Sequence, residues 1–526
     1  MTTDFGPIEI EVYKHLLASV AEEMGVRLMR SAYSPNIKER RDYSCALFDS
    51  DANLIAQAAH IPVHLGSAAA SVQAVINTFP PSSMKPDDRF ILNDPYAGGT
   101  HLPDITAVAP VILPGDTQPS FYIANRAHHA DVGGTRPGSL PLSRSIDEEG
   151  VRFGPSRFDN DFINTFSAQT RTPDERRGDL LAQAAALQLG IERMTDLCNT
   201  HGRDRITQAG AALINYTDRV IRTVIANLPD GTYTFEDALD DDVVSDTNSP
   251  VWIRLTLTIS GEIATLDFTQ TDDQMAGPLN AVRAITLAAC QYALRCLGPA
   301  DLPDNAGILE PLNILTRPGS VVDAQHPAAV AGGNVETSQR IVDTLFGALA
   351  QAAPDRIPAA SAGSMTNLTM GGHDPRRGGQ AFTYYETIAG GAGAGKGRNA
   401  ADCVQTHMTN TLNTPAEAFE HAYFVRTDAV AIRNNSGGSG QFTGGNGMIR
   451  RYHFLAPTEV TLLAERHRRP PYGLAGGQPG AAGAAHLIHT DGRIEHLGGR
   501  FERTFTAGET LEIQTPGGGG WGPAPA

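Results

Sequence analysis

His101 and Asp104 stand three residues apart in the stretch 93–104 (NDPYAGGTHLPD), where a glycine-rich turn runs into an apolar, strand-like segment. The same chemistry returns after the next apolar run, at 128–134 (HHADVGG), with His128, His129 and Asp131. Neutral imidazoles and a carboxylate from the ends of neighbouring strands form the donor set that divalent Zn, Mn or Fe accepts. A lone histidine more often satisfies a loop or core carbonyl. Two histidines and an aspartate at corresponding strand edges, with glycines allowing close backbone approach, instead favour a metal site at His101, Asp104 and His128.

Other motifs carry weaker chemistry. The segment 38–44 (KERRDYS) concentrates charge ahead of an apolar strand. Asp42 there reads equally as part of a solvated turn or as a carboxylate that completes the metal shell or orients a ligand histidine. Asp131 and His129 invite the same orienting role. The run 390–397 (GGAGAGKG) imitates a phosphate loop, but Gly397 follows Lys396 where Mg binding needs a hydroxyl. A flexible loop over substrate, or an interface, fits it better. His407, within the polar stretch 406–415, either lines a pocket or caps loops. A GxSxG elbow is missing, so serine esterase chemistry has no motif behind it.

These residues need a frame, and 526 residues are enough for two to four domains or one large intertwined body. With 54 glycines and 34 prolines, 41% hydrophobic and 19% charged residues, the chain reads as globular and rich in turns and short strands. A net charge of −17 argues against nucleic acid, whose phosphates demand Lys and Arg. Five scattered cysteines without a CxxC pair suggest reduced thiols. Residues 1–7 lack a basic-then-apolar leader, and no run approaches the ~18 apolar residues of a membrane span. The expected location is the cytoplasm, with no membrane partner.

Periodicity predicts a helix over 7–29, a hairpin of strands over 44–48 and 54–58, and a helix over 65–78. Short strands follow over 90–92, 105–112 and 121–125, then one helical stretch over 173–225. A β-hairpin pattern over 231–268, helices over 281–296 and 338–352, and strand-and-turn sequence from about 428 complete the chain. The expected fold class is mixed α/β (α+β), a large interwoven multi-layer fold with a β-rich C-terminal region. The division is into an N-terminal α/β region carrying the metal site (1–230), a central α/β region (231–427) and the β-rich region (428–526).

Taken together, 93–104, 128–134, 137–139, 329–339 (AVAGGNVETSQ), 384–387 (YYET), 406–415, 473–477 and 515–520 resemble the hydantoinase B family, nearly end to end. That family includes the B subunits of ATP-dependent N-methylhydantoinase, the C-terminal half of 5-oxoprolinase, and related carboxylase and lactamase subunits. The resemblance implies a hydantoinase A-type partner that handles ATP with Mg, a small cyclic amide substrate and a hetero-oligomer. It maps the metal ligands of related carboxylases onto His101, Asp104 and His128, and an acidic residue onto Asp42. The implied mechanism is ATP-dependent activation on the A-type partner, then ring opening at the metal, with Asp42 or Asp131 moving the proton. An ATP-dependent ketone carboxylase component and a non-catalytic scaffold for the A-type partner are the alternatives. Ala127, Ala389 and Lys396 depart from the family pattern without replacing a ligand, and they leave the substrate open.

Overall fold

The structure is a computed structural model that describes residues 5–58, 60–64, 66–244 and 249–524. The start of the leader-free segment expected at 1–7, and the first residue of the helix expected at 65–78, lie outside the described residues.

The strands that carry the site form a six-stranded antiparallel sheet: β1 (Tyr43–Asp49), β2 (Leu54–Gln57), β3 (Phe90–Leu92), β4 (Asp104–Val111), β5 (Phe121–His128) and β6 (Ser156–Arg157), ordered β2-β1-β5-β4-β3-β6. Every residue of β4 and β5 is buried, because both faces of the sheet are covered. Strand side chains alternate between faces, so Cys45, Leu47, Ile105, Ala107 and Ile123 join the main core. Their neighbours Ala46, Phe48, Val108, Tyr122 and Ala124 join a separate cluster with Val72 and Val75 of the helix Ala68–Thr78.

The main-core face is roofed by the long helices Pro7–Ser31 and Pro173–His201. The first starts at a proline, and Gly6 N–H donates to the Glu9 carboxylate at 3.1 Å. It buries Ile10, Tyr13, Leu17, Val20, Met24 and Leu28, a spacing of three and four that keeps one stripe inward. Gly190 lets the helices touch, since a Cβ there would lie 2.5 Å from the Met24 sulfur. The single helix expected over 173–225 is two, Pro173–His201 and Arg203–Ala226. Gly202 separates them at φ +86°, a left-handed turn that helical periodicity does not register.

Three further sheets follow among the described residues. One joins Gly231–Leu239, Val251–Ser260 and Ile263–Asp267 with Leu312–Leu315, the last pair parallel, and packs against the helix Ser338–Ala352. The other two share an apolar cluster that includes Leu368, Tyr384, Phe419, Tyr452, Phe454, Leu462, Leu487 and Ile513. The predicted mixture of helix and sheet, with strands dominating late in the chain, is what the structure shows. Among the described residues, no helix is long and apolar enough to cross a membrane.

The glycine runs are packed main chain. Gly438 N–H donates to Gly518 O, Gly518 N–H to Gly445 O and Gly445 N–H to Ala392 O, at 2.8–2.9 Å. A Cβ on Gly391 would lie 1.9 Å from the Gly445 carbonyl oxygen, and one on Gly518 1.9 Å from that of Ala392. Residues 391–394 are therefore no free loop. Their amides are spent on Pro516 O, Ala401 O, Ser361 Oγ and Gly519 O, which removes the cradle that a phosphate loop requires.

Candidate metal centre

Antiparallel pairing places Asp104 of β4 directly opposite His128 of β5, and Asp42, just before β1, beside His128. His128 N–H donates to Asp42 O at 3.0 Å, continuing the β1–β5 ladder by one residue. Opposed residues project to the same face of a sheet, so the three side chains form a row at its edge. Behind it runs a row from Ser44, Arg126 and Thr106. The buried Arg126 donates to Thr106 Oγ1 at 2.8 Å, Ser67 Oγ at 2.5 Å and Ser71 Oγ at 2.9 Å.

His101 is delivered by the turn that precedes β4. Asn93 ties that turn down, donating to Leu102 O and Val151 O while accepting from Phe153 N–H. Gly98 adopts φ +98°, where a Cβ would sit 2.7 Å from Ala70 O. His101 Nδ1 donates to Ala331 O at 3.0 Å. A carbonyl only accepts, so the proton stays on Nδ1 and the Nε2 lone pair is left for a ligand bond.

His101 Nε2 and His128 Nδ1 lie 3.1 and 3.2 Å from Asp104 Oδ1. One donor atom each from His101, Asp104 and His128 falls within 4.8 Å of the others. All three are essentially buried. His128 stacks on Tyr385 with centroids 4.4 Å apart, and its Nε2 is buried without a hydrogen-bond partner, as is Asn334 Oδ1. A cavity of about 20 Å³, lined by Asp42, His64, Asp104, His128, Asn334 and Tyr385 among others, adjoins them. That is room for about one water or ion. Converging donors, a fixed tautomer and orphaned buried polar atoms fit a divalent ion with mixed N/O ligands.

The electrostatics separate the two imidazoles. Burial pushes the Asp104 carboxyl up, but the charges of His101 and His64, with hydrogen bonds to His101 and His128, outweigh it and hold the group well below its ordinary range. Burial pulls His101 down, yet the Asp104 charge and hydrogen bond leave it raised. For His128 burial wins and the imidazole is lowered. A carboxylate kept ionised beside a readily neutral imidazole is a binding-competent pair.

Of the other residues singled out in the sequence, Asp42 is brought to the group, 6% exposed and 3.8 Å from the Arg40 guanidinium. Asp131 sits apart, its two oxygens accepting from Arg171 N–H at 2.7 Å and Arg171 Nη1 at 2.8 Å. His129 turns to Gln183, 3.0 Å away on the helix Pro173–His201. Three neighbours escaped the sequence reading. His64 Nε2 lies 3.2 Å from Asp104 Oδ2, with its Nδ1 at 2.9 Å from Ser44 Oγ. Asn334, in a π-helical turn Gly333–Thr337, reaches His101 Nε2 at 3.1 Å and Asp104 Oδ2 at 3.3 Å. Arg40 lies over the Tyr385 ring, donates to Tyr385 O at 3.0 Å and holds Asn36, whose amide donates to His128 O. The words AVAGGNVETSQ and YYET were the available signal for Asn334 and Tyr385.

A family model described as hydantoinase B/oxoprolinase matches residues 6–524. The chain belongs to the hydantoinase B/oxoprolinase family. Within it, the chain is 38% identical to 5-oxoprolinase 1 of Arabidopsis thaliana over 98% of its own length and 42% of that protein's, so it spans about two fifths of that relative. It is 29% identical to a Pseudomonas sp. strain NS671 protein named as the B component of a D-/L-hydantoinase, covering 98% of this chain and 90% of that one. Among solved structures, the ATP-dependent caprolactamase of Pseudomonas jessenii superposes with a TM-score of 0.91 at 26% identity, covering 99% of this chain and 93% of that one. A nucleotide-free acetone carboxylase shares the fold, with a TM-score of 0.90 at 16% identity over 98% and 76% of the two chains.

Proposed function

We propose that this chain is the B-type subunit of an ATP-dependent cyclic amidohydrolase of the hydantoinase or 5-oxoprolinase type. It works in the cytoplasm in a hetero-oligomer with an A-type partner that carries ATP and Mg. One observation carries the reading: the buried convergence of His101, Asp104 and His128 donor atoms within 4.8 Å, in a chain of this family. The names of the plant 5-oxoprolinase, the Pseudomonas hydantoinase component and the caprolactamase support a cyclic amide as substrate.

A divalent Zn, Mn or Fe ion held by His101, Asp104 and His128 would supply Lewis acidity, polarising an oxygen of the activated ring or acidifying a water. The chain's own residues set the rest. Ala331 O keeps the His101 proton on Nδ1, and His64 and Asn334 hold the Asp104 carboxylate from its other oxygen. Asp42, on the wall of the same cavity, takes a proton from the attacking water and returns it to the ring nitrogen as the C–N bond breaks. Asp131 is left out of that role because Arg171 engages both of its oxygens. The buried Tyr385 ring, with Met365 and Met408, keeps bulk water from the group.

The test is to purify the chain with its A-type partner, measure bound metal, and follow ATP hydrolysis with hydantoin, with 5-oxoproline, and with acetone plus bicarbonate. Turnover stimulated by a cyclic amide is the expected result. Stimulation only by acetone and bicarbonate would make the chain part of a carboxylase. ATP turnover indifferent to His101→Ala would make it a scaffold.

A further inference from the structure

A second, larger cavity of about 540 Å³ lies against the metal centre. Thr409 lines both spaces. The wall between them is made of residues 60–63 and 407–411, tied by Val63 N–H to Met408 O at 3.2 Å and Asn410 Nδ2 to His60 O at 3.1 Å. The volume suits a small ring compound.

Its lining is selective. Tyr292, Phe346 and Ile357 give it apolar sides. Arg356 and Arg398 stand on it, exposed, and no carboxylate lines it among the described residues, although the whole chain carries a net charge of −17. The nearby Asp355 pairs with Lys396 at 2.6 Å. Besides the Tyr292 hydroxyl and the Cys296 thiol, His407 lines it, 7% exposed, with an Nε2 that is buried without a hydrogen-bond partner and lies 3.7 Å from an Asp343 oxygen that is itself unpartnered. Arg466 occupies the other Asp343 oxygen at 2.5 Å. His407 holds φ +58°, a left-handed conformation unusual for a residue with a Cβ, and Gln339 anchors it through Thr406 O at 3.0 Å.

We infer that this cavity is the substrate chamber of the metal centre, and that it takes a small ring carrying one anionic group, gripped by Arg356 and Arg398 at the mouth. The anionic group is a carboxylate of the ring or a phosphoryl group placed on it, both of which guanidinium recognises. The choice of ring rests on the cyclic-amide reading above; the preference for an anion rests on the cavity alone.

Cys296 is exposed on this cavity and gives a direct probe. The full-length chain is alkylated with iodoacetamide and the Cys296 peptide followed by mass spectrometry, with Cys403, off the cavity, as internal control. We expect 5-oxoproline to slow Cys296 labelling severalfold and hydantoin, a neutral ring, to leave it unchanged. Protection by inorganic phosphate instead assigns the anion as phosphoryl. Arg398→Ala, at an exposed position, should raise the ligand concentration for half protection by about tenfold, the loss of one charge-assisted contact. No protection by either anion, equal protection by hydantoin, or unaltered protection in both Arg398→Ala and Arg356→Ala overturns the inference. The labelling needs neither metal nor the A-type partner, so absent turnover with protection intact would sink the proposed function alone.

Discussion

Asp104 and His128 are cross-strand partners on β4 and β5, and a single oxygen, Asp104 Oδ1, lies 3.2 Å from His128 Nδ1 and 3.1 Å from His101 Nε2. The register of one hairpin thus fixes the geometry of the centre, because a slip of one residue would send both side chains to opposite faces.

His101→Ala should remove stoichiometric metal, and Asp104→Asn, which keeps the shape and deletes the charge, should weaken binding by at least about tenfold. Elemental analysis beside far-UV circular dichroism checks both. Unchanged metal in a folded His101→Ala protein would reject the ligand assignment.

His64→Ala and Asn334→Ala should retain the ion with affinity reduced by about 10–100-fold, since each holds a ligand without being one. Competition with a chelator reads the difference. Loss as complete as in His101→Ala would promote either residue to a ligand.

Glu336 makes the pH dependence testable. Burial, reinforced by the charge of Glu465, pushes its carboxyl up to about 8 from 4.5. The folded value exceeds the unfolded one, so its contribution to stability is full below about 4.5 and is lost as pH rises through about 8. Glu336→Gln keeps an acceptor for Met365 N–H and the Asn367 amide but cannot ionise. Its melting temperature relative to the parent should therefore climb between pH 5 and pH 9, and a flat difference would show that Glu336 does not titrate there.

Gly445→Ala should destabilise by about 3 kcal/mol or more, because its Cβ would lie 1.9 Å from Ala401 O and only backbone could yield. Gly397→Ala meets no atom within 4 Å and carries only the strain of φ +84°, about 1 kcal/mol. Denaturant midpoints of the two variants test whether the glycine runs are packing or hinge.

The sequence was most readable where one period governs a long segment: the helix Ser338–Ala352 matches its predicted span, and Pro7–Ser31 extends its own by a turn fragment. His101, Asp104 and His128 could be grouped because two consecutive antiparallel strands, and the turn leading into the first, carry them. His64 and Asn334 could not, since one is 40 and the other 230 residues from Asp104 and no local pattern records such closure. The flexibility expected of 390–397 does not hold at 391–394, for a related reason. A residue without a side chain looks permissive in sequence, and only the fold reveals that a neighbouring carbonyl fills the place of its Cβ.

The interleaved glycine strips also set a schedule for biosynthesis. Gly517 to Gly520 sit between strips that contain Ala392, Gly438, Gly445 and Gln478, and hydrogen-bond to several of them. A ribosome makes that strip after the others, so the gap it fills stays open until it emerges. The earlier strips must wait as exposed backbone, and assembly of this part of the molecule is committed to long-range closure, the slow end of folding.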